Sequence, residues 1–173
     1  MKIHNIPQLS HARYSVDQDW FDLERVLQRY NKDYGLDLNP DFQRDYVWTQ
    51  QQKIDYVEWG FRGGRSGMDI FFNCPNWNGF NAGVITIVDG KQRLQAVLDF
   101  MHNEIPAYNI YFKDYEGPFR MGPHFRFHVN DLKSREDILK WYIGMNTGGT
   151  IHTPNEIDKV KKLLEEEQKC KVK

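Results

Sequence analysis

The chain has 173 residues, enough for one domain with its own core, and 14% of them are aromatic. A net charge of −1 and a pI near 6.6 argue against the broad basic surface of a non-specific DNA binder, while leaving room for a local basic cleft. Two cysteines without a CxxC pairing suggest free thiols in a reducing compartment, and no apolar leader or stretch of roughly 20 apolar residues is present, so a soluble, cytoplasmic protein with no membrane partner is expected.

Residues 1–18 carry no periodicity and are expected to be irregular. Leu23, Val26, Leu27 and Tyr30 mark a first helix, with Asp17 or Asp19 as its cap. Asn31 to Pro40 reads as loop. Thr49 with Gln52 three residues on forms a capping box, and Ile54, Val57 and Phe61 give the following helix its apolar face. Gly60 to Gly67 breaks that helix, Asp69 to Asn73 is a candidate strand, and Asn73 to Gly83 reads as an exposed loop. Ile105 to Phe112 looks extended, and Lys113 to Pro123 is rich in turns. Phe125, Phe127 and Val129 alternate with polar residues, the period of a half-buried strand. Ser134 can cap a helix carrying Ile138, Tyr142 and Met145, which Gly148-Gly149 ends. Thr153-Pro154-Asn155-Glu156 starts a last helix with Ile157, Val160 and Leu164 on its apolar face. One domain over residues 1–160 is expected, with a charged helix end over 161–173 that frays from Glu165 onward.

The most telling run lies between these elements. The apolar stretch Val84 to Val88 stops at Asp89-Gly90, Lys91-Gln92-Arg93 follows, and Leu94, Val97, Leu98 and Met101 recur with helical period. Buried strand, tight turn and helix are expected in that order. The turn sets a glycine, backbone N–H groups and two cations at a helix N-terminus, where an anion is favoured. Asp89 stands at the strand end, placed to meet a metal ion or a water. Asp-Gly is also an ordinary turn, and the run is neither a Walker A loop nor a dinucleotide fingerprint.

Three segments, taken together, resemble a known family. They are Pro40-Asp41-Phe42-Gln43-Arg44 with Val47-Trp48, then Asp89 to Leu94, then Asn146-Thr147-Gly148-Gly149-Thr150 with Glu156. In that order they look like the N-terminal domain of GmrSD-type modification-dependent restriction enzymes, in the ParB/sulfiredoxin-like superfamily, over roughly residues 15–160. The resemblance implies an α/β (α+β) fold with a small mixed sheet flanked by helices and a nucleotide-binding cleft. In the family the Asp-Gly-Gln-Gln-Arg motif is tied to nucleoside triphosphate binding and hydrolysis; here Lys91 replaces its first Gln and adds positive charge. The family's restriction enzymes carry a second, C-terminal nuclease domain of the His-Asn-His type, which does not follow here, so a stand-alone regulator, a phage-type protein in a host cytoplasm, or a subunit that recruits a partner is expected.

On this reading Asp89, Arg93 and Arg44 are the catalytic candidates. Gly90, Lys91, Gln92, Arg93, Gln43 and Asn146 are the nucleotide- and phosphate-binding candidates, and Asp89 is the candidate Mg²⁺ ligand beside a nucleoside triphosphate. The expected function is a nucleotide-binding phosphohydrolase or nucleotide-dependent switch linked to DNA modification, restriction or phage–host conflict, with DNA, a separate nuclease or a host-defence protein as further partners. The alternatives are a DNA-binding or interaction module without turnover, and a kinase-type phosphoryl transferase or nuclease on the same fold.

Plainer readings stand beside the sharper ones. Arg44 could be a surface arginine paired with Asp41 or Asp45, or a bidentate phosphate clamp. Trp48 reads as a core anchor before a stacking platform, and Gly63 to Gly67 as a flexible loop before a phosphate cradle. His124 and His128 share one strand face without a third ligand for zinc. Lys159, Lys161 and Lys162 read as a solvated helix face, because Glu165 to Glu167 follow.

Overall fold

The structure is a computed structural model that describes residues 14–77, 79, 81–116, 122–147 and 154–170. Its strands are β1 (Tyr14–Asp19), β2 (Leu36–Asp37), β3 (Asp69–Asn73), β4 (Ile85–Asp89) and β5 (His124–Asn130). Its helices are α1 (Leu23–Tyr34), α2 (Gln50–Phe61), α3 (Lys91–Met101), α4 (Arg135–Thr147) and α5 (Pro154–Cys170). The five strands form one mixed sheet in the order β1-β5-β3-β4-β2. β1 with β5 and β3 with β4 run antiparallel, while β3 with β5 and β2 with β4 run parallel. This is an α/β fold with a small mixed sheet flanked by helices.

Strand alternation sends apolar side chains to both faces of the sheet. Ile70 and Phe72 of β3, Ile85 and Ile87 of β4, and Phe125, Phe127 and Val129 of β5 share the larger core. Leu23, Val26, Leu27 and Tyr30 of α1, Val57 of α2, and Leu94, Val97 and Phe100 of α3 close over it. Phe71 and Val88 face the other way, against Phe42, Leu139, Trp141, Tyr142 and Val160, so α4 and α5 cover the second face. Each fully buried Phe, Ile or Leu contributes roughly 1.5–3 kcal/mol of transfer free energy. The central strands therefore need cover on both faces, and β4 delivers Asp89 to a point between the two helical layers.

Local chemistry sets the helix starts. Thr49 accepts from Gln52 N while the Gln52 side chain accepts from Thr49 N, completing the capping box of α2. Ser134 Oγ accepts from Asp137 N at 3.1 Å at the head of α4. Asp19, not Asp17, caps the single 3-10 turn that leads into α1, accepting from Phe21 N at 2.8 Å.

Four expectations need correction. Residues 14–19 are not irregular: they form β1, an edge strand in six-residue register with β5. Ser15, Asp17 and Asp19 are exposed, and on the other face only Val16 packs against the larger core while Tyr14 meets Trp77, a period too short to announce the strand; backbone pairing and the Asp17–Arg126 cross-strand ion pair at 2.7 Å also hold it. Within the Asn31 to Pro40 stretch read as loop, Leu36–Asp37 pairs with β4. Ile105 to Phe112 is not a strand; Tyr108 and Asn109 take left-handed φ of 51° and 61°, and only an Ala107–Ile110 bridge closes the turn. Nor does the last helix fray from Glu165. It continues to Cys170, with Glu167 salt-bridged to Arg135 at 3.1 Å and Gln168 bonded to Glu136 at 3.2 Å. The expected stop at Gly148-Gly149 and cap at Thr153 lie outside the described residues.

Candidate functional site

β4 ends at Asp89, the chain turns at Gly90, and α3 begins at Lys91. Gly90 has φ of 102°, and no side chain among the described residues caps α3. The first-turn amides and the positive end of the helix dipole are thus directed at what lies beyond the strand. What lies there is a cleft of about 520 Å³. Among its lining residues are Gln43, Arg44, Asp89, Gly90, Lys91, Gln92, Arg93 and Asn146, so three separated sequence segments meet in one place.

The motif residues divide by task. Asp89 and Arg93 lie one helical turn apart and form an ion pair, Arg93 Nη2 to Asp89 Oδ2 at 2.5 Å. Lys91 and Gln92 are buried and turn toward the segment that precedes α2. The Lys91 ammonium donates to the Arg44 carbonyl at 3.1 Å and sits 4.4 Å from the centre of the Tyr46 ring. Burial pushes its pKa below the ordinary lysine value, with Asp45 and Asp37 pulling the other way. Gln92 Oε1 accepts from Val47 N at 3.0 Å and Trp48 N at 3.2 Å, and its Nε2 donates to the Asp45 carbonyl at 2.9 Å. From the loop side, Gln43 Nε2 donates to the Val88 carbonyl at 2.6 Å. Two glutamines and a lysine therefore hold residues 43–48 against the end of β4, and fix where Arg44 emerges. Asp41 is not its salt-bridge partner in this arrangement: that carboxylate is held by Arg135 at 2.7 Å.

α4 supplies Tyr142, Met145 and Asn146 from one face, spaced three and four residues apart. The Asn146 amide donates to the Tyr142 carbonyl at 2.7 Å. Gly148 to Thr150, the rest of that motif, lie outside the described residues. Among the described residues, three cations and one carboxylate line the cleft (Arg44, Lys91, Arg93 and Asp89), an electrostatic balance that suits an anion.

Sequence reasoning singled out Trp48 but missed the rest of the aromatic wall. Trp48, Tyr56, Trp59 and Tyr142 line the cleft, with Ser66 and Gly67 from the loop after α2. Trp48 packs against the larger core as an anchor should, yet it also faces the cleft, its ring 5.3 Å from that of Tyr56. The Tyr56 hydroxyl donates to the Gly67 carbonyl at 2.8 Å. Tyr56 and Trp59 stand at i and i+3 just before the glycine run, a spacing that marks a shared helix face but not what that face meets. His124 and His128 lie away from this cleft on β5, where His128 bridges Ser15 at 2.8 Å and Asp69 at 2.7 Å.

As a Mg²⁺ site the cleft offers, among the described residues, one carboxylate, Asp89, already paired with Arg93. That donor set fits an ion carried in by a polyphosphate, which keeps most of its ligands as phosphate oxygens and water. It does not resemble an all-protein cage.

Comparison with known proteins adds one positive finding. The family model described as the GmrSD restriction endonuclease N-terminal domain matches residues 23–123. That span contains the Gln43-Arg44 segment and the whole Asp89 to Arg93 turn, and stops before Asn146. No curated protein and no solved structure matches. With more than half of its 173 residues inside the match, the chain belongs to the family of GmrSD restriction endonuclease N-terminal domains.

Proposed function

We propose that the cleft binds a nucleoside triphosphate and that the domain acts as a phosphohydrolase or nucleotide-dependent switch. Family membership gives the chain a restriction-related, DNA-associated role; the nucleotide step is our reading of the site. It rests on one observation above all: the Asp89 to Arg93 turn, Gln43-Arg44 and Asn146, far apart in sequence, line one cleft whose described residues carry a net positive charge.

In this reading the phosphates meet the uncapped N-terminus of α3 and the Arg93 and Arg44 guanidinium groups. Those cations compensate charge as the bond between the terminal phosphorus and its bridging oxygen breaks and a water oxygen bonds to phosphorus. Asp89 Oδ2 is engaged by Arg93, and its other oxygen is left to orient that water; Asp89 would also hold a nucleotide-borne Mg²⁺, which would supply further charge neutralisation. Lys91 and Gln92 act one step back, by fixing the loop that carries Arg44. In a switch without turnover, the same contacts order residues 43–48 around the bound phosphates.

A ligand that binds only the native state raises apparent stability. The expected result is a higher unfolding midpoint with at least one of the four ribonucleoside triphosphates in the presence of Mg²⁺, reduced in Arg93→Ala. No shift and no calorimetric binding with any of them would overturn the proposal. Phosphate release then separates an enzyme from a switch.

A further inference from the structure

Trp59 is unusual among the aromatic residues of the cleft because it is exposed and yet held. It retains 44% of its accessible surface. Its indole Nε1 donates to the Ser66 carbonyl at 3.3 Å, and Gly64 N donates to its backbone carbonyl at 3.0 Å. A Cβ at Gly64 would fall 2.2 Å from Trp59 Cε2, so the backbone of the loop lies directly against the indole. Residues 63–67, read from sequence as a flexible loop, thus hold one ring. The same loop reaches the basic end of the cleft: a Cβ at Gly67, next to Ser66, would lie 3.8 Å from Arg93 Cδ. The indole and the Arg93 guanidinium therefore flank one short stretch of backbone.

A large apolar ring left in water, with its rotamer fixed in advance, gains by stacking a planar partner at little further entropy cost. We propose that Trp59 is the platform on which the nucleobase of the bound nucleotide stacks, while its phosphates reach Arg93 and the α3 N-terminus. This rests on the nucleotide reading above and adds the contact that distinguishes a nucleotide from a bare polyphosphate. A stacking face reads ring shape rather than hydrogen-bond pattern, so any base can use it.

The test uses the full chain and calorimetric titration with the four ribonucleoside triphosphates, inorganic tripolyphosphate and a short single-stranded oligodeoxynucleotide. The wild type is expected to bind at least one nucleoside triphosphate more tightly than tripolyphosphate. Trp59→Ala should weaken that nucleotide by about 5- to 150-fold, the loss typical of a stacked base, and leave tripolyphosphate unchanged. Trp59→Phe should restore most of the affinity, and thermal unfolding of both variants confirms that they fold. Equal affinity for tripolyphosphate and every nucleotide in the wild type sinks the platform while sparing the phosphate site. So does an equal loss of both ligands in Trp59→Ala, which would make the indole merely structural. Binding of neither overturns the nucleotide reading and the platform together. Tighter, Trp59-dependent binding of the oligonucleotide than of any triphosphate overturns the assignment to a mononucleotide.

Discussion

A side chain at position 90 meets two obstacles at once. The φ of 102° is strained for any L-residue, and a Cβ would fall 2.5 Å from Ile70 Cδ1 and 3.3 Å from Ile70 Cα in β3. Gly90→Ala is expected to cost about 1–3 kcal/mol from backbone strain and to add a packing penalty at Ile70; a denaturant midpoint equal to wild type would show that the turn can relax. Asp89 and Arg93 make a different kind of pair. Arg93→Ala removes a charge-assisted contact of roughly 1.5–3 kcal/mol, so nucleotide affinity should fall by about one to two decades. Asp89→Ala should instead abolish turnover while the chain stays folded and still binds nucleotide. Wild-type phosphate release by that variant removes Asp89 from the mechanism. The juxtaposition of these two groups was legible in the sequence because the motif is local: four consecutive peptide bonds decide that both sit on one turn.

At the scale of elements, the strand–turn–helix unit does more than present a site. Gln92 is an adapter between α3 and the irregular segment before α2, satisfying the Val47 and Trp48 amides and the Asp45 carbonyl with one side chain. Gln92→Ala leaves those groups to find water or open the loop, at a cost of about 1–3 kcal/mol. Hydrogen exchange should accelerate at Val47 and Trp48 while α3 stays protected, and nucleotide affinity should drop although Gln92 is assigned no phosphate contact. Unchanged exchange at those two amides would show that the segment is held by Lys91 and Gln43 alone. Nothing in the sequence pointed to this arrangement. A buried glutamine and lysine at the head of a helix read as phosphate ligands, because the segment that occupies them lies 44–47 residues earlier. The edge strand β1 escaped for a related reason: apart from Val16 it is fastened largely by backbone pairing and charge, and hydrophobic period carries no trace of either.

For the molecule as a whole, the two helical layers meet the sheet at the end of β4, and the cleft opens where both layers contribute walls. α2 and α3 come from the side of the larger core, and α4 from the side of the smaller one. Only the assembled sheet brings Trp59 and Tyr142 to the same rim as Asp89. The cationic half of the cleft could therefore be read from sequence, whereas of its aromatic half only Trp48 stood out. The larger core also buries ionisable groups whose charged forms it excludes. Tyr30 lies edge-on to Phe72, and burial pushes its phenol up to about 12. Tyr56 moves in the same direction for the same reason, and the buried Cys74 thiol rises to about 11. Each is an acid whose folded-state pKa exceeds its unfolded value. Their stabilisation is complete below the unfolded values and is lost as pH climbs through the folded ones. The denaturant midpoint should thus fall across an alkaline window that opens near pH 9, where an unfolded thiol ionises, and extends to about 12. Within that window the ultraviolet phenolate signal should show Tyr30 and Tyr56 among the nine tyrosines withheld until the chain unfolds. Tyr30→Phe should flatten the upper part of the stability profile. If all nine phenols ionise together near pH 10 while the fold persists, the ring cluster around Tyr30 admits water and the larger core is looser than its packing implies.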